Sequence, residues 1–304
     1  MITVSLIGGL GNQMFQYAAG KALAERHGAS LALDLGGFRN YNYFGNYNLT
    51  PRPFLLDRLR VPEAGGGSVT KAAENFVRAK SKELIDRLLS RGGLPKLAQS
   101  PQDYREPHFH YDHAFEALGP QTNLFGYFQS ERYFGSIAEC LRDWFAPRKP
   151  LVGEMLGLIQ ASRLPISVHV RRGDYLNPDT AEVHGILGEP YYRQALGRLE
   201  RATGREAELF VFSDDPPASE QVLNFVPRSR LVHVRGEPER PWEDMALMAH
   251  CRHHIIANSS FSWWGAWLNR SPDKIVIAPH AWFAPNELKK RNTCDLYPPG
   301  WLVI

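Results

Sequence analysis

Two adjacent arginines, Arg171 and Arg172, follow an apolar run at residues 165–170 (PISVHV) that predicts a buried β-strand. Ligands of open α/β sheets bind at the carboxyl ends of the strands, which is where these arginines fall. The planar guanidinium donates two hydrogen bonds at once and therefore suits a phosphorylated ligand, above all a diphosphate. The alternative is that both arginines lie at the surface and pair with Asp174.

A glycine-rich turn at residues 8–11 (GGLG) stands between a first predicted strand at residues 2–7 and a predicted helix. Such a turn lets the backbone approach a ligand, and the start of the helix offers free N–H groups to an anion. A tight turn that binds nothing fits the same glycines. Met14 stands where the dinucleotide-binding pattern needs its third glycine, which disfavours an NAD-dependent oxidoreductase.

A third segment, residues 257–267 (ANSSFSWWGAW), also lies between a predicted strand and a predicted helix. The hydroxyls of Ser259 and Ser260 could cap this helix or hold a phosphate. Trp263, Trp264 and Trp267 are typical of core packing, and a carbohydrate-binding surface is the less common use of such residues. A binding module built on the tryptophans therefore stays open as an alternative.

The residue pattern does not predict a metal site. No Asp-x-Asp pair occurs in the chain, so the usual carboxylate clamp for a metal–diphosphate complex is missing. His108, His110 and His113 are close in sequence, but no cysteine or carboxylate pattern frames them as zinc ligands. We therefore expect metal-independent chemistry with no cofactor, in which Arg171 and helix N-termini meet the charge of the diphosphate.

Alternating strands and helices must position these segments. We predict strands at residues 31–35, 165–170, 208–213, 230–234, 254–257 and 274–278, and helices at residues 190–202, 242–251 and 261–269. This alternation indicates an α/β protein with parallel sheets. A stretch rich in proline and basic residues, 146–150 (APRKP), predicts a boundary between domains at 1–150 and 151–304.

Composition limits the classes of function. The 304 residues carry a formal net charge of +3 and no long basic run, which disfavours a nucleic-acid-binding protein. Three scattered cysteines indicate a reducing compartment and not a disulfide framework. No apolar stretch approaches the length of a membrane-spanning helix, so we expect no transmembrane segment and a cytoplasmic protein, with peripheral association at the inner membrane left open.

Four sequence blocks, taken together and in this order, resemble the α-1,2-fucosyltransferase family, glycosyltransferase family 11. They are GGLGNQMFQYA, HVRRGDY, FSDD and IANSSFSWWGAWLN, and they span residues 8–269. The resemblance implies a GT-B-like α/β fold, in which two Rossmann-like domains face each other across a cleft. It also implies that domain 1–150 is the acceptor side and that domain 151–304 binds GDP-fucose.

The activity implied by this resemblance is the inverting transfer of L-fucose from GDP-fucose to a hydroxyl of a galactoside acceptor, with an α-1,2 linkage. The alternatives are a GDP-sugar hydrolase and a non-catalytic glycan-binding protein. Residues 40–130 are the hardest part of the chain to interpret, and we expect them to contribute to the choice of acceptor glycan.

The resemblance assigns residues of the C-terminal domain to the donor. Arg171 is expected to grip the β-phosphate, and Arg172 is expected to support it or the end of the strand. His169 is expected beside the guanosine, and Asp244 is expected to accept hydrogen bonds from the guanine. These assignments predict a donor site at the carboxyl end of the predicted strand 165–170.

Further contacts are implied by the same blocks. Ser259 and Ser260 fall where phosphate contacts are expected. Gly11, Asn12 and Gln13 come from the other domain and are expected to face the sugar and the acceptor. If no protein base is needed, Asn12 would orient the acceptor hydroxyl or a water molecule.

Several carboxylates are candidates for the proton transfer or for the donor site. Asp174 is the first candidate for the catalytic base, Asp179 the second and Glu182 the third. Asp214 and Asp215 follow a predicted strand, so they either point toward the ligand, as we expect for Asp214, or cap the next turn.

Overall fold

The computed structural model describes residues 1–39, 52–64, 102–176 and 178–304. The chain divides into two compact units, Met1–Trp144 and Phe145–Ile304. Each unit contains a sheet of parallel strands, and helices alternate with the strands along the chain. The predicted α/β class is therefore confirmed.

The unit Met1–Trp144 contains a four-stranded parallel sheet in the order β2-β1-β4-β3. Its strands are β1 (Ile2–Ser5), β2 (Leu31–Asp34), β3 (Gln102–Arg105) and β4 (Thr122–Phe125). Its described α-helices are α1 (Leu10–Arg26), α2 (Gly36–Arg39) and α3 (Ala138–Trp144). Short 3-10 helices lie at Leu56–Arg58, Pro62–Ala64, His113–Ala117, Glu131–Tyr133 and Gly135–Ile137.

Helix α1 is buried on nearly every face, although its sequence shows a mixture of apolar and polar residues. Gly20 lets the helix pack closely, because a Cβ there would lie 3.0 Å from Val4 and 3.1 Å from Leu31. The helix ends at Arg26, and Gly28 just beyond it adopts a left-handed conformation with φ of 57°. Its first turn begins at Leu10 and follows the carboxyl end of β1.

The unit Phe145–Ile304 contains a six-stranded parallel sheet in the order β10-β9-β8-β5-β6-β7. Its strands are β5 (Pro165–Val170), β6 (Glu208–Ser213), β7 (Leu231–His233), β8 (His253–Ile255), β9 (Val276–Ala278) and β10 (Leu302–Val303). Its α-helices are α4 (Glu154–Ala161), α5 (Pro178–His184), α6 (Glu189–Thr203), α7 (Pro216–Val222), α8 (Pro241–His250), α9 (Ser260–Leu268) and α10 (Pro285–Leu288). Short 3-10 helices lie at Gly173–Leu176 and Arg228–Arg230.

The strand order makes this second sheet a doubly wound one. The chain runs outward from β5 through β6 to β7, returns to place β8 on the other side of β5, and then continues through β9 to β10. The direction of winding therefore reverses between β5 and β8. In such sheets the ligand crevice lies outside the carboxyl ends of the strands at this switch point.

The core of the second unit lies on both faces of its sheet. Every residue of β5 is buried, as expected for a central parallel strand covered on both sides. One apolar cluster joins Ile166 and Val168 to Leu196 of α6, and another joins Phe210 and Phe212 to helix α8. This packing holds the ends of the central strands in a fixed place.

Candidate active site

Several of the residues predicted to bind the donor lie at the carboxyl ends of β5, β6 and β8, whereas Asp244 lies in the helix that follows β7. Arg171 directly follows β5, and Asp214 directly follows β6. Ser259 follows β8 and precedes α9. Because β5 and β8 flank the switch point, these residues lie where a doubly wound sheet binds its ligand.

Arg171 is held by an acidic residue and by an aromatic ring. Its Nη1 lies 2.7 Å from Oδ2 of Asp214, and its guanidinium carbon lies 5.3 Å from the centre of the Tyr175 ring. The sequence suggested Asp174 as the surface partner of the arginines; the described ion pair of Arg171 is with Asp214, while the side chain of Asp174 lies outside the described part of the chain.

The register of two strands explains this ion pair. Val170 of β5 pairs with Ser213 of β6, so the next residues, Arg171 and Asp214, leave the sheet side by side. Sequence analysis missed the pair, although it predicted the bounds of both strands. The equal lengths of the two predicted strands were the signal that could have indicated it.

The two adjacent acids after β6 have different partners. Asp214 Oδ1 accepts a hydrogen bond from the backbone N–H of Arg172 at 2.8 Å, and Oδ2 pairs with Arg171. Asp215 caps α7, because its Oδ1 accepts from the backbone N–H of Ala218 at 3.0 Å. The capping alternative therefore holds for Asp215, and Asp214 belongs to the arginine cluster.

Arg172 has a buried guanidinium and is only 5% exposed. Its Nη1 donates to the carbonyl oxygen of Arg171 at 3.2 Å, and its Nη2 donates to that of Leu187 at 2.6 Å. These bonds tie the end of β5 to the segment before α6. Arg172 therefore supports the strand end, one of the two roles that the sequence suggested for it.

His169 lies in β5 and is 4% exposed, with its ring 5.7 Å from that of Phe261. Burial, together with the nearby Arg171 charge, lowers the pKa of its imidazole to about 3. The ring is therefore neutral at physiological pH. Its Nδ1 is buried and has no hydrogen-bond partner in the structure.

Asp244 lies in the first turn of α8 as a partly buried carboxyl group. Burial, and then the charge of Glu243, raises its pKa to about 6. Its carboxylate fits closely against the backbone of Gly236, where any Cβ would clash with both carboxylate oxygens. Gly236 thus leaves the space that this carboxylate occupies.

Ser259 caps α9, since its Oγ accepts from the backbone N–H of Phe261 at 3.3 Å, and Ser260 is the first residue of that helix. Trp263, Trp264 and Trp267 are 0%, 0% and 2% exposed and pack against one another. A carbohydrate-binding surface made of these tryptophans is therefore wrong, and their role is core packing.

In the unit Met1–Trp144, Gln13 is fully buried and its amide is engaged within the chain. Its Nε2 donates to the carbonyl oxygens of Gly8 at 2.9 Å and Pro53 at 2.8 Å, and its Oε1 accepts from Leu55 N–H at 2.9 Å. This geometry does not support the predicted ligand contact of Gln13. It gives the side chain a structural role between the glycine-rich turn and residues 53–55.

Gly11 and Asn12 lie in the first turn of α1, where Gly11 is buried and Asn12 is partly exposed. Oδ1 of Asn12 accepts a hydrogen bond from Nε2 of Gln129 at 3.0 Å. Gly8 adopts a φ of 76°, and a Cβ there would lie 2.7 Å from Nδ2 of Asn12. The glycine-rich turn therefore makes room for the amide of Asn12.

The candidates for the catalytic base have different surroundings. Asp174 lies in the 3-10 helix Gly173–Leu176 and Asp179 in α5, but the side chains of both lie outside the described part of the chain. Glu182 is exposed on α5. Sequence analysis missed Glu106, whose carboxylate accepts from the backbone N–H of Tyr127 at 2.7 Å and whose pKa is raised by burial to about 7.

The residues that the structure describes contain no cluster of three or more histidine, cysteine, aspartate or glutamate side chains that could hold a metal ion. Metal independence stays a prediction.

None of the helices in the described ranges is long and apolar enough to cross a membrane.

Two relatives match nearly the whole chain, and a third matches part of it. An alpha-1,2-colitosyltransferase of Escherichia coli is 33% identical over 100% of this chain and 99% of its own length. The O-antigen biosynthesis glycosyltransferase WbnK of Escherichia coli is 32% identical, over 95% of this chain and 97% of its own. A galactoside alpha-(1,2)-fucosyltransferase 1 of Sus scrofa is 30% identical, over 61% of this chain and 53% of its own.

Two solved structures are more distant. NodZ alpha-1,6-fucosyltransferase soaked with GDP-fucose matches with a TM-score of 0.42 and 16% identity, over 91% of this chain and 94% of that one. POFUT1 in complex with GDP-fucose matches with a TM-score of 0.45 and 13% identity, over 90% of this chain and 96% of that one.

The model of the family described as Glycosyl transferase family 11 matches residues 99–304. With this match and a relative that is 33% identical over its whole length, the chain belongs to glycosyl transferase family 11.

Proposed function

We propose that this chain transfers L-fucose from GDP-fucose to a hydroxyl of a galactoside acceptor, with inversion, and forms an α-1,2 linkage. The observation that carries the proposal is the place of Arg171, at the carboxyl end of β5 beside the switch point of the doubly wound sheet. Membership of the family supports glycosyl transfer as the type of reaction. The donor, the acceptor and the linkage go beyond what family membership supports, and they are proposed here.

The guanine base would be recognised by Asp244 and His169. A carboxylate accepts hydrogen bonds from both the N1–H and the exocyclic amine of guanine, and a pKa of about 6 leaves Asp244 mainly ionised at pH 7. Adenine lacks this pair of donors on its edge. The ring of His169 would lie beside the same nucleoside as a neutral group that adds no charge.

Arg171 would stabilise the leaving group. The acceptor oxygen attacks the sugar from the face opposite the departing GDP, and negative charge grows on the diphosphate as the bond breaks. A guanidinium fixed at that place stabilises the charge in the transition state. The backbone N–H groups at the start of α9 supply further donors to the diphosphate.

The acceptor proton needs a destination. We assign the base to Asp174, which lies three residues after Arg171 in the 3-10 helix Gly173–Leu176. The unit Met1–Trp144 is proposed to bind the acceptor, with Asn12 as a contact to its hydroxyl group. If the proton leaves late in the reaction, Asn12 would orient the hydroxyl without a protein base.

The relatives support the linkage more firmly than they support the donor sugar. The names of two of them specify an α-1,2 linkage, one for colitose and one for fucose. Colitose is fucose without its 3-hydroxyl group, so GDP-colitose is the second candidate donor. A site built to hydrogen-bond the 3-hydroxyl would discriminate strongly against the sugar that lacks it.

The test is incubation of the chain with GDP-fucose or GDP-colitose and a panel of β-galactosides, followed by linkage analysis of the products. We expect a fucosylated product with an α-1,2 linkage. Faster transfer of colitose would contradict the proposed donor, and another linkage would contradict the proposed regiochemistry. GDP release at the same rate with and without every acceptor would favour a hydrolase.

A further inference from the structure

The carboxylate of Asp214 has three neighbours in one small space. Oδ2 pairs with Nη1 of Arg171 at 2.7 Å, and Oδ1 accepts from the backbone N–H of Arg172 at 2.8 Å. Gly173 lies so close that a Cβ at that position would clash with Oδ2. The carboxylate is therefore fixed to the backbone of the turn and, through its other oxygen, to the guanidinium.

The ion pair is partly buried, with the side chains of Arg171 and Asp214 20% and 26% exposed. Such a pair is less screened by solvent than an ion pair at the surface. An arginine side chain has a large rotamer entropy, which must be lost when the guanidinium is fixed against a ligand. Fixing it beforehand lowers the cost of binding and keeps the donors aligned in the transition state.

We infer that Asp214 is a positioning residue for Arg171. It holds the guanidinium at the carboxyl end of β5, and it does so from a carboxylate anchored by the N–H of Arg172. The inference rests on the proposed function, because it takes Arg171 as the group that meets the diphosphate. It assigns Asp214 a role through Arg171 and not a direct contact with the donor.

The balance of charges around Arg171 is consistent with the positioning role of Asp214. The guanidinium of Arg172 is turned to two carbonyl oxygens, and Asp214 balances one of the two adjacent positive charges. If Asp214 acted instead as a competitor of the diphosphate for Arg171, removal of its charge would improve donor binding. The two roles therefore predict opposite signs for the same substitution.

The test is a double-mutant cycle of Asp214→Asn with Arg171→Ala, since asparagine keeps an acceptor for the Arg172 N–H and loses the charge. We expect Asp214→Asn to lower kcat for transfer by about tenfold or more and to weaken the affinity for GDP by about threefold or more, because the guanidinium is no longer fixed before the ligand binds. In the Arg171→Ala background the same substitution should change kcat by less than about threefold, because the residue acts through Arg171.

Asp215→Asn is the matched control, because it makes the same change one residue later. Asn caps a helix about as well as Asp, so α7 should keep its cap and kcat should stay within about twofold of wild type. Equal losses from Asp214→Asn in both backgrounds, or a gain in activity, would overturn the inference.

A second variant covers the case in which Asp214→Asn fails to fold. Gly173→Ala keeps the charge of Asp214 and pushes its carboxylate away from Arg171. We expect a loss of about tenfold in kcat with Arg171 present, and a loss of less than about threefold in the Arg171→Ala background. Unchanged activity of Gly173→Ala would contradict the positioning role.

The same cycle, measured as GDP affinity by titration calorimetry, separates the two proposals. If the wild type transfers the sugar but the losses from Asp214→Asn and Arg171→Ala are additive, the role of Asp214 is overturned and the proposed function stands. If the wild type transfers to no acceptor but the effects of the two substitutions on GDP affinity are coupled, the proposed function is overturned and the role of Asp214 stands.

Discussion

At the scale of single residues, Arg171 carries the proposed stabilisation of the leaving group, and its removal tests the donor site directly. We expect Arg171→Ala to lower kcat by about 100- to 1,000-fold, as expected when a fixed donor to a developing charge is lost. Steady-state transfer rates at saturating donor measure this effect. Arg193→Ala is the control, because Arg193 pairs with Glu189 on α6 at a distance from the cluster in sequence.

A loss of less than about tenfold in Arg171→Ala, or about 1.4 kcal/mol, would exclude this role. The kcat of Arg193→Ala should stay within about twofold of wild type, since an exposed ion pair contributes little to the stability of the fold. Equal losses in both variants would indicate a general effect of positive charge and not stabilisation at one place.

The carboxyl group of Asp244 predicts a pH dependence of donor binding. Its pKa is raised to about 6, so the group is ionised above this pH and protonated below it. The proposed guanine contact requires the ionised form, and affinity is therefore lost as the pH falls. Between pH 7 and pH 5 we expect the Kd of GDP-fucose to rise by about tenfold, in proportion to the loss of the ionised form.

GDP-fucose is the appropriate ligand for this titration, because its diphosphate ester has no group that titrates between these pH values. His169 stays neutral throughout the range, since its pKa is lowered to about 3. Asp244→Asn should bind the donor weakly and without dependence on pH. The same pH profile in wild type and variant would show that another group controls binding.

At the scale of elements, the long buried strands could be predicted and the short ones only in part. The apolar runs at residues 165–170 and 208–213 coincide with β5 and β6, because a central parallel strand is apolar on both faces. Strand β7 spans Leu231–His233, and it is shorter than its prediction at residues 230–234. Prediction was therefore strongest for the two strands that position Arg171 and Asp214.

Helix α1 shows why the remainder could not be predicted. Its existence follows from apolar periodicity, but the partners of its polar residues are far away in sequence. Gln13 bonds to Pro53 and Leu55, and Gln16 bonds to Gly126. No local pattern distinguishes such a buried amide from one that faces a ligand, and the ligand contact of Gln13 was implied by the family resemblance alone.

The structural role of Gln13 predicts a loss of stability. Gln13→Ala leaves the buried N–H of Leu55 and the carbonyl of Pro53 without this partner, and we expect the free energy of unfolding to fall by about 2 to 4 kcal/mol. Urea unfolding measures the change. Gln160→Ala, on an exposed position of α4, should change it by less than about 0.5 kcal/mol.

A Gln13→Ala variant that is as stable as wild type but binds the donor or acceptor poorly would reverse this interpretation. It would return Gln13 to the ligand contacts that the sequence suggested. Loss of stability with normal ligand binding in the folded fraction would support the structural role.

At the scale of the whole molecule, the topology supports the proposed donor site more strongly than any single motif does. The glycine-rich turn, the arginine pair and the serine pair each have a structural alternative, and Ser259 and Gln13 show such alternatives in the structure. The strand order β10-β9-β8-β5-β6-β7 places the arginine pair at the switch point. That order depends on which strands become neighbours, which local sequence patterns do not determine.

The absence of an Asp-x-Asp pair in the sequence predicts that transfer needs no divalent metal ion. A metal ion bound to the diphosphate would stabilise the leaving group by several kcal/mol, so its removal would lower the rate by orders of magnitude. If Arg171 and the backbone N–H groups at the start of α9 stabilise the negative charge of the diphosphate instead, kcat in excess EDTA should stay within about twofold of its value in Mg²⁺ or Mn²⁺. Arg171→Ala provides the control, because added metal should not restore its activity. Loss of transfer with EDTA and recovery with Mn²⁺ would show that a metal ion shares the task assigned to Arg171.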